Sequence, residues 1–313
     1  MRSFSLATLA LCAMTIHGCI GRPRDYNDKV FAIVGSALNN GQLYWPPSGG
    51  RIQEDNFGFD KSLIFPAVAS CDCRLYTSGG QTATGAYTGD IQEYVLPIAQ
   101  AAYFGRLQTP RARHTMDCYW DSLFVCGGNT DTCERCDLNT GVCVTLTAAM
   151  PVPQLFEARS IALNGRLYVF GGTGEVSLAY DIERNTWSQL APLQSNHDVY
   201  GGLALVPGGQ LDRPQLMLCG GQVNGNGLCQ LYDVYSNTWR SAEPMAHNRI
   251  DFSLLPYNGD LYAIGGMWDG EQPKITKVVE RRNPFFGHWT IANQLLADGA
   301  ADGFTGAVVS MEC

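Results

Sequence analysis

A pair of adjacent glycines closes a short apolar run five times, at Gly79-Gly80, Gly127-Gly128, Gly171-Gly172, Gly220-Gly221 and Gly265-Gly266. The steps between them are 48, 44, 49 and 45 residues. A further step of 44 back from Gly79 reaches Val30–Val34 followed by Gly35-Ser36, the same strand with Ser in the second place. The pairs at 49-50, 201-202 and 208-209 fall out of phase and lack the preceding strand. A unit of this length holds a few short strands, none able to bury its faces alone. Such units are stable only when stacked in an array.

The stretch Asn164–Leu193 shows what one unit contains. An apolar strand ends at Gly171-Gly172, a second ends in Tyr180-Asp181, and a third opens with Trp187. The pattern returns at Leu216–Glu243 and, more loosely, at Leu261–Thr290. Each mark has a physical reason. Glycine reaches positive φ without a Cβ clash where a strand must turn sharply beside its neighbour. Asp181, with Asn and Thr before Trp187, signals a hairpin. Tyr180 and Trp187 then face each other, which contributes about 0.5–1.5 kcal/mol beyond area burial.

Six units with these marks in register resemble kelch repeats, the four-stranded blades of a β-propeller. The resemblance covers nearly all of the chain beyond its first residues and implies an all-β, six-bladed ring. The C-terminal run Ala301–Ser310 parallels Arg249–Leu255, the innermost strand of the sixth unit, but no doublet follows it. Val30–Val34 begins with a doublet-type strand and lacks an innermost one. A C-terminal strand joining three N-terminal strands would close the ring and remove both open edges.

Met1–Ser3 carries one positive charge, Phe4–Ile16 is apolar apart from Ser and Thr, and small residues follow. The run is short for a bilayer and reads as a secretory signal peptide over residues 1–21, leaving 22–313 as a single propeller domain. Ile16-His17-Gly18-Cys19 fits a lipoprotein box poorly, because of His17. No other stretch suits a membrane span. Residues 1–21 contain one Arg and no acid, so the net charge of −8 becomes −9 after cleavage. An acidic surface argues against nucleic acid as a partner.

The first two units are degenerate. Tyr44-Trp45-Pro46-Pro47 replaces the Tyr-Asp mark in the first, with Arg51 at the Trp place. In the second, Tyr103 and Phe104 are the substitutes for the missing Trp. The third departs informatively: Cys136 and Cys143 align with Tyr180 and Trp187. A disulfide there closes a short loop, worth roughly 2–3 kcal/mol if unstrained. Cys126 and Cys133 bracket the turn after one doublet, as Cys219 and Cys229 do after another. Zinc bound by Cys133-x-x-Cys136 is the alternative, but a leader peptide and the repeat register favour disulfides. Pairing among Cys71, Cys73, Cys118 and Cys313 is open.

In kelch propellers the loops after the doublets and those approaching each innermost strand line one face. The resemblance places Gln81, Asn129, Thr173, Gln222 and Trp268 in the first set. It places Arg111, Arg113, His114, Glu157, Arg159, His197, Asp198, Arg249, Asp251 and Asp302 in the second. This polar, mixed-charge rim has the composition of a recognition surface. Gln81, Arg111, His114, Asn129, Glu157, His197, Gln222, Arg249, Asp251 and Trp268 are the candidate ligand contacts; Arg111 and Arg249 also suit a blade-bridging role.

Fold does not dictate task. Copper radical oxidases of this fold need Tyr and His ligands and a Cys free to link to Tyr, whereas His114, His197 and His247 stand singly. Sialic-acid mutarotases use acidic and Arg side chains at the mouth, for which Glu157, Arg159 and Arg249 are available without a fixing motif. No phosphate-binding glycine loop, HExxH or nucleophile elbow is present. The expectation is a secreted, non-catalytic binding module for a protein or glycan, without cofactor or metal.

Overall fold

The second strand of each repeat is apolar on both sides, and the packing shows why. In the third unit Leu123 and Val125 face the second unit, joining Ala69, Tyr76 and Ile91. The intervening Phe124 and Cys126 face the fourth, beside Leu167 and Val169. Tyr168 and Phe170 then meet Leu216 and Leu218 of the fifth, and Met217 and Cys219 meet Leu261 and Ala263 of the sixth. Alternation with period two therefore serves two interfaces at once. A run such as Leu-Phe-Val-Cys reads as continuously hydrophobic because each sheet is sandwiched between two others.

The computed structural model describes residues 63–71, 74–95, 100–194, 201–207, 213–221, 227–268, 274–275, 278–284 and 286–295, together with the backbone of 29–35, 41–44, 52–53 and 304–310. The protein is an all-β propeller, with no helix among the described residues. Five blades are antiparallel meanders, each drawn from one stretch of chain. The second unit comprises Ala67–Cys71, Arg74–Ser78, Asp90–Val95 and Gln100–Arg106. The third comprises His114–Tyr119, Ser122–Gly127, Cys133–Asp137 and Cys143–Thr145. The fourth is Arg159–Leu163, Arg166–Gly171, Val176–Asp181 and Thr186–Gln189. The fifth is Gly202–Leu205, Gln215–Cys219, Cys229–Asp233 and Thr238–Ala242. The sixth is Ser253–Tyr257, Asp260–Ile264, Val278–Arg282 and Trp289–Leu295. A further four-stranded sheet is not a single meander: Phe304–Ser310 pairs with Lys29–Gly35, which continues to Gly41–Tyr44 and Ile52–Gln53.

The doublets end the second strand of all five meanders, and all ten of their glycines have positive φ. They also dock neighbours. Gly128 N–H donates to the Leu155 carbonyl of the next unit at 2.7 Å, and Gly221 N–H to Arg249 at 2.9 Å. A Cβ on Gly128 would lie 2.5 Å from the Ala112 carbonyl oxygen, so no larger residue fits.

The outer hairpins are built by Asp and Asn. Asp181 Oδ1 accepts the Arg184 N–H, and Asp233 Oδ1 accepts those of Tyr235 and Ser236. These bonds hold both carboxyls below the usual carboxylate range. Tyr180 and Trp187 are directly opposed, with ring centroids 5.2 Å apart, as are Tyr232 and Trp239 at 5.0 Å. The indole N–H groups of Trp187, Trp239 and Trp289 reach back to carbonyls of Ala148, Ala191 and Glu243.

In the third unit Cys136 and Cys143 occupy the aromatic register and are bonded, as are the pairs Cys126–Cys133 and Cys219–Cys229. Cys71 joins Cys118, linking the innermost strands of the second and third units. Cys73, Cys313 and the expected leader lie outside the described residues. In the second unit neither expected substitute stands at the Trp place: Ala101 is opposite Tyr94, and Phe104 packs instead 5.0 Å from Tyr76 of the second strand. Tyr103 is 70% exposed, because a register shift at Ile91/Gln92 places it opposite Gln92.

Candidate functional site

The loops approaching each innermost strand share one backbone feature. A residue one or two places before the strand is left-handed: Phe65 at φ 57°, Arg113 at 58°, Glu157 at 70° and Asp251 at 54°. Non-glycine residues seldom adopt this conformation, and its recurrence at one place marks a built feature. The bend lets the loops hydrogen-bond in succession: Arg113 N–H donates to the Phe65 carbonyl at 3.1 Å, and Glu157 N–H to that of Arg113 at 2.9 Å.

Their side chains form the charged lining of the mouth. The Arg113 guanidinium lies 4.0 Å above the Phe65 ring and pairs with Glu157. Arg159, at the head of the fourth unit's innermost strand, reaches past the fifth unit to Asp251 of the sixth, with 3.9 Å between Nη2 and Oδ1. Both arginines stay partly exposed while Glu157 and Asp251 are nearly buried. The accessible surface is therefore the cationic half of each pair. Deeper, Asp117 Oδ2 accepts the Ala162 N–H at 2.8 Å and joins the third and fourth innermost strands.

Three candidate contacts are not on this surface. Arg111 and Arg249 are 0% exposed. Arg111 donates from Nη1 to the Gly127 and Thr132 carbonyls and from Nη2 to Glu134 Oε1 at 2.7 Å. Arg249 repeats the pattern with Gly265, Val278 and, at 2.8 Å, Glu280. Each Glu also accepts two backbone N–H groups, from Gln108 and Thr109 or from Ala246 and His247. Burial lowers the pKa of both arginines, and the paired carboxylate opposes that. A guanidinium so enclosed ties a doublet to its third strand and has no face left for a ligand. The sequence signal was the Glu itself: Glu134 and Glu280 stand two residues before the Tyr register, where the fourth unit has Leu178.

His114 is likewise interior. Its Nε2 meets Ser78 Oγ at 2.8 Å, Nδ1 has no partner, and burial pushes its pKa down to about 3, with Arg111 adding to the effect. It is a neutral ring packed between the second and third units.

Of the other candidates, Glu157 and Asp251 belong to the mouth. Asn129 clamps its own approach loop, accepting from Ala112 N–H and donating to the Pro110 carbonyl. Gln81 pairs with Ile64 in a two-stranded ribbon and donates to the Gly85 carbonyl at 2.9 Å. Trp268 lies in the backbone ribbon Met267–Trp268 with Lys274–Ile275. His197, Gln222 and the side chain of Trp268 lie outside the described residues. Among the described residues, no three His, Cys, Asp or Glu side chains converge as a metal site requires.

No protein-family model matches the chain. Individual proteins do. Kelch-like protein 23 of Homo sapiens is 28% identical over 146 residues, 44% of this chain and 24% of its own length. Kelch-like protein 40 of Mus musculus is 26% identical over 175 residues, 51% of this chain and 27% of its own. Kelch repeat and BTB domain-containing protein 12 of Danio rerio is 25% identical over 231 residues, 61% of this chain and 36% of its own. In sequence pattern and in fold the chain is similar to kelch-repeat proteins. The chain spans about a quarter to a third of the length of those relatives. No helix among the described residues is long and apolar enough to cross a membrane.

Proposed function

We propose that the chain is exported by its N-terminal leader and works outside the cell as a six-bladed, disulfide-stapled kelch ring that recognises a protein through its mouth. The remaining blade, beside the five meanders, would be the sheet shared by the two chain ends; its neighbours support this, because Phe304–Ser310 lies beside both Ala67–Cys71 and Ser253–Tyr257. Export is supported by the apolar start of the sequence and by four cysteine pairs at bonding positions, which persist in oxidising compartments.

The observation that carries the binding reading is the mouth. Left-handed residues on a rigid scaffold fix the Arg113–Glu157 and Arg159–Asp251 pairs there, with the arginines the more exposed partners. Loops fixed in this way lose little entropy on binding. The exposed arginines on an otherwise acidic chain favour a partner presenting carboxylates, which a guanidinium engages bidentately. The immobilised mature protein should capture a defined protein from extracellular fluid. Arg159→Ala and Trp268→Ala should each weaken that capture, while Arg184→Ala on an outer hairpin leaves it unchanged. Capture that survives both mouth variants would remove the mouth from the reading.

A further inference from the structure

The outer hairpin of each later repeat follows one rule, and the sixth unit breaks it in two coupled places. In the fourth and fifth units the residue opposite Trp is Tyr180 or Tyr232. Its hydroxyl donates to Asn185 or Asn237, five residues on, at 2.7 and 2.8 Å. Both asparagines are left-handed, with φ 52°. In the sixth unit the residue opposite Trp289 is Arg282, and the fifth residue on is Gly287, φ 77°. The donor has become a cation, and its acceptor has been deleted. The third unit also has glycine there, Gly141, but five residues before it the chain has Cys136, bonded to Cys143, which needs no acceptor.

Arg282 is only 6% exposed, and its Nε has no acceptor. No described residue makes a hydrogen bond or ion pair with its guanidinium. Arg111 and Arg249, the other deeply buried arginines among the described residues, are each matched to a glutamate. A Cβ built on Gly287 would lie 3.7 Å from Arg282 Nη2, so the missing side chain is the one that would have stood against the guanidinium. Arg282 lines a groove with Arg240 and Ser241 of the fifth unit and His288 of its own. Glu243 stands at the same groove, 4.0 Å from His288 Nδ1. Burial lowers the Arg282 pKa and Arg240 lowers it further, against Glu243. A guanidinium withdrawn from water without a partner is unfavourable, and its fork matches the two oxygens of an oxyanion.

We propose that this groove is an oxyanion-binding site centred on Arg282, taking the carboxylate, phosphate or sulfate group of a ligand. The hairpin Asn283–His288 joins third and fourth strands, whereas the doublet loops join second and third. In an antiparallel meander these lie at opposite ends, so the site opens on the face away from the mouth and is independent of what the mouth binds.

The test is calorimetric titration of the full mature protein with inorganic phosphate, sulfate and acetate, at constant ionic strength set by chloride. Saturable one-site binding of at least one of them is expected. Arg282→Gln should weaken it at least about tenfold. Gly287→Asn, which restores the acceptor of the fourth and fifth units on a backbone asparagine tolerates, should also weaken binding while raising the melting temperature. A preference for phosphate and sulfate would assign a tetrahedral anion; equal or better binding of acetate would assign a carboxylate. No saturable response to any of the three, or the same affinity in wild type and Gly287→Asn, overturns the proposal.

Discussion

The third and fourth units lay down the same meander in the same register and fill it with different chemistry. Where the fourth has the Tyr180–Trp187 pair, the third has the Cys136–Cys143 disulfide. The buried Leu155 and Leu178 of the fourth correspond to the Arg111–Glu134 ion pair of the third, and Ala158 corresponds to His114. Aromatic and aliphatic packing in one unit thus occupies the space that covalent, ionic and imidazole groups occupy in its neighbour. The lesson is that the blade backbone is specified elsewhere, by doublets that dock on the next unit and by Asp-initiated hairpins. The interior positions need only fill the gap and satisfy what they bury.

The sharpest break in that comparison is Glu134→Leu. It leaves Arg111 buried without its carboxylate, and removing one member of a buried pair costs about 3–5 kcal/mol. Adding Arg111→Leu transplants the fourth unit's solution and should recover most of that loss. The remainder comes from the Gln108 and Thr109 amides, which lose their acceptor; at the Thr109 place the fourth unit carries Pro153, which has no N–H. Urea unfolding measures both variants. Equal losses in the single and double mutants would show that the charges are not coupled.

Next in size is the staple. Cys143→Ala should cost roughly 2–3 kcal/mol, the loop-closure value for so short a ring. The double change Cys136→Tyr with Cys143→Trp should be tolerated better, since it restores the facing pair of the fourth unit. A double variant that melts below the single one would mean the two solutions are not interchangeable.

His114 gives the third unit a pH dependence that Ala158 does not give the fourth. Its folded pKa of about 3 lies below its unfolded value near 6.5, so its contribution is complete above pH 6.5. As pH falls from 6.5 towards 3 that contribution is lost, on the order of 2 kcal/mol by pH 5. His114→Gln, which can still reach Ser78, should flatten the fall in melting temperature over that window. An unchanged acid limb would assign it to other groups. The smallest effect is expected from Tyr232→Phe, which removes only the hydroxyl bond to Asn237, about 1 kcal/mol by chemical denaturation.

The blades were legible because their determinants are local. Gly-Gly, Tyr-Asp and Trp act within a few residues, and the cysteine pairs at 126–133, 136–143 and 219–229 join residues directly opposed in hairpins. The mouth was legible only in part. Glu157 and Asp251 were expected there, but so were Arg111 and Arg249, which sit two residues before Arg113 and Asp251. A one-dimensional pattern places a loop on a face; it does not say which of two arginines points inward. The left-handed residue just before the strand, and the matching Glu134 and Glu280, decide that Arg113 lines the mouth while Arg111 is enclosed.

What the sequence determined by itself is the repeat, its register and the residues that face across each hairpin, because turns and alternation act at short range. Where charge ends up depends on how the blades pack. Cys71 meets Cys118 across two units, Arg159 reaches Asp251 past a whole blade, and Arg111 and Arg282 are buried in opposite circumstances, one matched and one not. The stability of a buried ion depends on groups brought to it from tens of residues away, and those distances exist only once the blades have packed.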